Sequence, residues 1–124
     1  TLVKHSKDLD LAILKMVQPV NLPVLKISLI APKVGDQIYT IGFHFGIPAL
    51  KVASHGHITN ITGKPINLMF FDAAINRGAS GGPVLNKDFE IVGINQMIYT
   101  STGDWAGIGI CNEYSEFMRF INHE

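Results

Sequence analysis

Glycine and proline punctuate this chain so often that little of it can sustain a helix. Twelve glycines and six prolines fall among its 124 residues, and the runs between them are short and rich in β-branched and aromatic side chains. Such runs suit extended, half-buried strands. Residues 2–4 and 9–17 flank the polar group His5-Ser6-Lys7-Asp8 and predict a hairpin. Residues 18–25 carry Pro19 and Pro23 and predict an extended connection. Lys33-Val34-Gly35-Asp36 reads as a turn into a strand over 37–42. Residues 50–62 form a long β-rich stretch, broken at Gly56 and closed by Gly63-Lys64-Pro65, and 66–71 form the next strand. Residues 83–86, the turn Lys87-Asp88 and residues 89–99 predict a second hairpin. A polar loop over 100–104 leads to a short glycine-spaced strand over 105–111. Only the end changes character. Asn112 is the expected N-cap of a helix that places Tyr114, Phe117, Met118 and Ile121 on one face. The expected fold is all-β, an antiparallel barrel or sandwich closed by one helix.

Composition narrows the function. Apolar residues make up 47% of the chain and charged residues 16%, with no net charge, so a packed globular domain is expected. Nothing in this balance favours nucleic acid or an anionic membrane surface as partner. No apolar run is long enough for a membrane-spanning helix. Cys111 is the single cysteine; it excludes an internal disulfide and reads as a small buried residue, away from disulfide-stapled secreted scaffolds. The chain opens on Thr1, which suggests a processed product or a piece of something longer.

The chemistry concentrates in Gly78-Ala79-Ser80-Gly81-Gly82-Pro83. A serine among glycines in a tight turn is a candidate nucleophile that needs a base. The spacing fits the nucleophile elbow G-x-S-x-G, with Asp104 and His123 following in order. That elbow requires a strand before it, a helix after it and a helix-covered parallel sheet. Here Pro83-Val84-Leu85 leads into a hairpin, and helical patterns are lacking. The same residues also fit G-x-S-G-G-P, and this pattern extends outward. Asp72-Ala73-Ala74-Ile75-Asn76-Arg77 precedes it, Ile91-Val92-Gly93-Ile94-Asn95 follows, and Gly107-Ile108-Gly109-Ile110 stands before the terminal helix. Lys33-Val34-Gly35-Asp36 with Ile41-Gly42 and Asp8-Leu9-Asp10-Leu11-Ala12-Ile13-Leu14-Lys15 lie upstream. In order and spacing, over nearly the whole chain, these resemble the HtrA/Deg branch of the trypsin-like serine proteases.

The resemblance implies a fold and a set of roles. The fold is the C-terminal barrel of a double-barrel protease: residues 1–17 as the last hairpin of the first barrel, 18–32 as the inter-barrel linker, and 33–124 as a roughly six-stranded barrel with its terminal helix. Ser80 matches the nucleophile, and the backbone N–H groups of Gly78 and Ser80 match the oxyanion hole. Asp10 matches the carboxylate that orients the catalytic imidazole. Asp8 is the runner-up, but only Asp10 directly precedes Leu-Ala-Ile-Leu. Asn95, Gln96, Met97 and Ile98 match the strand on which substrate is laid as an added strand. Ala74 and Ile75 match positions lining the primary specificity pocket, where apolar walls favour small or aliphatic side chains. The resemblance implies no metal or cofactor.

The departures matter equally. Ala79 stands where the branch usually has asparagine. No segment resembles the branch's histidine motif, Ala-Ala-His or Asn-Ala-His, which lies upstream of the aspartate. The histidine-bearing barrel is therefore expected outside this sequence, as a separate segment or chain that the hairpin over 2–17 would need, through its open sheet edge and apolar face. Of the five histidines, His5 is expected in a hairpin turn and His123 near the end. His55 and His57 share one strand face, and His44 is the weak substitute base. Zinc at His44, His55 and His57 is not expected, for no carboxylate or thiol stands at a telling spacing. The resulting expectation is a serine endopeptidase acting on peptides or unfolded proteins through a Ser80 acyl-enzyme, inactive as this chain alone. The contrasting reading is a catalytically dead, protease-derived peptide-binding module. Relatives in this branch often form homo-oligomers and work in bacterial envelopes or organelles.

Overall fold

A computed structural model describes residues 1–43, 51–74, 79–96 and 108–122. The first element is a two-stranded hairpin, β1 (Leu2–Ser6) and β2 (Leu11–Leu14). His5 pairs with Ala12 and Ser6 with Leu11. The turn therefore lies at Lys7–Asp10, two residues beyond the His5–Asp8 group the sequence suggested, and His5 is a strand residue. The turn closes through Leu9 N–H donating to Ser6 Oγ at 3.2 Å and Asp10 N–H donating to the Lys7 carbonyl at 3.3 Å. Asp10 completes it at φ 55°. Aspartate is one of the few residues that tolerate this left-handed geometry.

An irregular connection over residues 15–36 follows. It is pinned to the barrel at Ser28, which is fully buried. Ser28 N–H donates to the Ile91 carbonyl at 2.9 Å, and the Ser28 carbonyl accepts from Tyr114 Oη at 2.6 Å.

Six strands form the main sheet: β3 (Gln37–Phe43), β4 (Lys51–Ile61), β5 (Leu68–Phe71), β6 (Pro83–Leu85), β7 (Ile91–Ile94) and β8 (Gly109–Asn112). Their order is β7-β6-β3-β4-β5-β8, antiparallel throughout. Just past β7, Gln96 N–H donates to the Ile110 carbonyl of β8 at 2.9 Å. This bond brings the two edge strands together and curls the sheet into a barrel, which removes the exposed edges an open sheet would carry. Inside lie Ile38, Ile58, Met69, Phe71, Val84, Val92 and Cys111, all 1% exposed or less. Met69 and Phe71 take every second position of β5, as a strand with one face inward requires. Each such large side chain contributes about 1.5–3 kcal/mol by leaving water.

Three further expectations change. Gly56 does not break its strand: β4 runs through it, with Gly56 opposite Ile38. A Cβ there would stand 2.2 Å from Asp72 Oδ1 and 2.6 Å from Ala73 N. The glycine is needed because the chain at 72–73 passes against it, and Asp72 Oδ1 accepts from His57 N–H at 2.6 Å. Asn112 is not an N-cap. It ends β8, and helix α1 (Tyr114–Asn122) starts after Glu113, whose carbonyl accepts from Phe117 N–H at 3.0 Å. The helix buries Phe117 and Phe120, so the buried stripe includes one residue that the expected face omitted.

The outer face of the hairpin and connection stays apolar. Leu14, Met16, Val17, Val24, Leu29 and Ile30 are all more than half exposed. No helix among the described residues is long and apolar enough to cross a membrane.

Candidate active site

Ser80 sits on a tight turn that leads into β6. Gly82 N–H donates back to the Ala79 carbonyl at 3.1 Å. Gly81, third of the four turn residues, has φ +90°, the conformation that a type II turn demands there. Ala79 is 2% exposed and packs against Gly42, where a Cβ would lie 3.2 Å from Ala79 Cα. Ser80, the next residue, faces solvent. The alternation buries the methyl and displays the hydroxyl.

The turn is held from behind by Asn95. Gly81 N–H donates to the Asn95 carbonyl at 2.9 Å, and Asn95 N–H donates to the Gly82 carbonyl at 2.8 Å. The Asn95 side chain is buried, and among the described residues neither its Nδ2 nor its Oδ1 has a hydrogen-bond partner. Its neighbour Gln96 turns the other way. Gln96 Nε2 donates to the Leu9 carbonyl at 2.8 Å, and Asn112 Nδ2 donates to the same oxygen at 2.7 Å. Leu9 directly precedes Asp10. Two consecutive residues, Asn95 and Gln96, thus connect the Ser80 turn to the Asp10 turn.

Ala74 is also anchored. Its carbonyl accepts from Ser54 Oγ at 2.7 Å, and Thr40 Oγ1 lies 2.7 Å from that same hydroxyl. Ser54 has one hydrogen and spends it on Ala74, so Thr40 is the donor to Ser54. This two-hydroxyl relay fixes the start of the segment that leads to Ser80.

Hydrogen bonds through Asn95 and Gln96 link the Ser80 turn to the Asp10 turn, while Ala74 is anchored separately, to Ser54 and Thr40. Gly78, Ile75, Met97, Ile98 and His44 lie outside the described residues, as does His123. His5, His55 and His57 are exposed on strands, and His55 and His57 share a face of β4, as expected. Among the described residues no three histidine, cysteine or acidic side chains are placed to hold a metal ion. Sequence reasoning missed the supporting roles of Asn95, Asn112, Ser54 and Thr40. Their residue types carry no signal, because their partners are distant in the chain.

A family profile described as the trypsin-like peptidase domain matches residues 1–94. The magnetosome formation protease MamE of Paramagnetospirillum magneticum is 36% identical over 132 residues, covering 99% of this chain and 18% of that protein. A protein of Hahella chejuensis described as a probable periplasmic serine endoprotease, DegP-like, is 38% identical over 114 residues, covering 86% and 24%. The chain belongs to the trypsin-like peptidases, in their HtrA/Deg branch. Solved structures of this branch share the fold. The serine endoprotease of Yersinia pestis superposes with a TM-score of 0.80 at 31% identity, over 98% of this chain and 42% of that one. The HtrA-type protease AlgW, solved with a decapeptide, gives 0.78 at 28% identity, over 99% and 40%. This chain thus spans less than half of those solved chains and about a fifth to a quarter of these curated relatives. The mostly β barrel with its closing helix is the architecture expected of the branch.

Proposed function

We propose that this chain carries the nucleophile and the orienting carboxylate of a serine endopeptidase. Ser80 Oγ attacks the carbonyl carbon of a peptide bond while a base takes its proton. The resulting tetrahedral oxyanion is stabilised by the N–H groups of Gly78 and Ser80. The tetrahedral intermediate collapses to an ester on Ser80, the amine leaves with the proton returned by the base, and water repeats the cycle to release the acid. Asp10 orients the base. That base is an imidazole from polypeptide outside this sequence, which docks on the apolar face around Leu14 and Val17. A peptide lies along residues 95–98 as an added strand, with Ala74 and Ile75 lining an apolar pocket. The decapeptide in AlgW supports a peptide as ligand.

The observation that carries this reading is the Asn95–Gln96 tie between the Ser80 and Asp10 turns. Two candidates chosen from separate motifs, seventy positions apart in the sequence, are held by one short segment. The test is fluorophosphonate labelling read by intact mass, with Ser80→Ala as control. The expected result is no labelling of this chain alone and stoichiometric labelling when the upstream barrel is present. Loss of one triad member costs roughly 10⁴–10⁶ in turnover, so the mutant signal should vanish. Labelling of the lone chain would place the base within it, at His44. Absence of labelling with the upstream barrel present would favour a peptide-binding module without chemistry.

A further inference from the structure

We propose that Gln96 and Asn112 are positioning residues for Asp10, acting through the Leu9 carbonyl; the role given to Asp10 rests on the function proposed above. The Leu9 carbonyl and the Asp10 N–H belong to one planar peptide unit. Gln96 Nε2 and Asn112 Nδ2 hold its oxygen from the barrel at 2.8 and 2.7 Å, and the Asp10 N–H on its other edge donates to the Lys7 carbonyl at 3.3 Å. A carbonyl has two lone pairs, and both are taken by side chains 87 and 103 residues away. With that plane fixed, the direction of the Asp10 side chain follows from its φ of 55°.

That conformation is unfavourable for any residue with a Cβ and persists only where surroundings over-determine it. A two-stranded hairpin is marginal alone, and its outer face here is exposed. The clamp supplies the missing constraint at the turn. A second contact, Lys4 Nζ donating to the Phe120 carbonyl at 2.6 Å, holds the middle of β1. Lys4 fixes where the hairpin lies; Gln96 and Asn112 fix how Asp10 is turned. The clamp also gives Gln96 work that its place on the expected substrate strand did not suggest.

The experiment uses this chain with Gln96→Met, Asn112→Leu and both together. Hydrogen exchange reads the hairpin, and the carboxyl carbon resonances of the aspartates read the side chain. Amides of β1 and β2 should exchange about fivefold faster in each single variant and about twenty-five-fold faster in the double variant. Barrel amides around Met69 and Cys111 should keep their rates. The Asp10 carboxyl resonance should move while those of Asp36 and Asp72 stay. Gln96→Lys, which retains a donor, should restore most of the effect of Gln96→Met. Unchanged hairpin exchange in the double variant overturns the clamp. Equal acceleration across the barrel overturns it too, as does faster hairpin exchange with a stationary Asp10 resonance. Asp10→Asn, made with the upstream barrel present, tests the other premise. If Ser80 still labels fully in that variant, the triad role of Asp10 fails while the clamp result stands.

Discussion

The carbonyl oxygen of Ile41 lies where a side chain on Gly82 would have to begin, 2.3 Å from the Cβ position. Strand β3 therefore presses directly on the exit of the serine turn, and only a hydrogen fits between them. Gly81, one residue earlier, has open space around its Cβ position and a φ of +90°. The two glycines are needed for different reasons, one steric and one conformational. Gly81→Ala should cost about 1–2 kcal/mol from backbone strain alone. Gly82→Ala must displace β3 and should cost more, about 3 kcal/mol. Urea unfolding midpoints of the two variants should fall in that order, and equal midpoints would show that β3 yields freely.

The Asn95 amide presents a different prediction. Its backbone clasps the serine turn while its buried side chain makes no hydrogen bond among the described residues. An unmade buried hydrogen bond costs about 1–3 kcal/mol, and an apolar replacement of similar shape removes that penalty. Asn95→Leu should therefore raise stability by about 1 kcal/mol in urea unfolding. Asn95→Asp, which buries a carboxylate with no partner, should lower it by several kcal/mol or force the group to stay protonated. A loss of stability in Asn95→Leu would show that the amide is satisfied in solution.

Stability should also fall in alkali through Cys111. Burial pushes its thiol up to about 12 from the ordinary value of 9.0. Below pH 9 the thiol is protonated in both folded and unfolded chains and contributes no pH dependence. Between about 9 and 12 the unfolded chain loses that proton and the folded one keeps it, so unfolding gains about 1.4 kcal/mol per pH unit. Measured unfolding free energies of the native chain and Cys111→Ala should diverge in slope above pH 9. Parallel curves would refute the assignment.

The sequence made most of the barrel legible because its strands obey local rules. Strand β3 follows Gly35-Asp36 and buries alternate residues, and β6 and β7 flank the Lys87-Asp88 turn. The misreadings share a cause. Gly56 discourages a strand by itself, yet the packing of Asp72 and Ala73 against it outweighs propensity. Asn112 favours a cap, but pairing with Leu68 makes it the last residue of β8, and the helix starts two residues later. The hairpin turn moved because Asp8 and Asp10 both suit a turn, and the pairing of His5 with Ala12 and Ser6 with Leu11 decides between them. At the site, the glycines around Ser80 announced the turn. The Asn95 clasp, the Gln96 clamp and the Thr40–Ser54 relay depend on contacts across the barrel, which no local pattern encodes.

The clamp on Leu9 also sets an order of events as the chain is made. Leu9 is made long before its two donors, Gln96 and Asn112, and Lys4 waits still longer for Phe120. Within this stretch the hairpin is made first and its side-chain anchors come last. Until β8 and α1 emerge, the hairpin lacks the anchors that Asn112 and the Phe120 carbonyl supply. Contacts of such separation are slow to close, and exposed strands invite wrong partners meanwhile. The segment carrying Asp10 therefore waits for its side-chain anchors through most of the synthesis of this stretch.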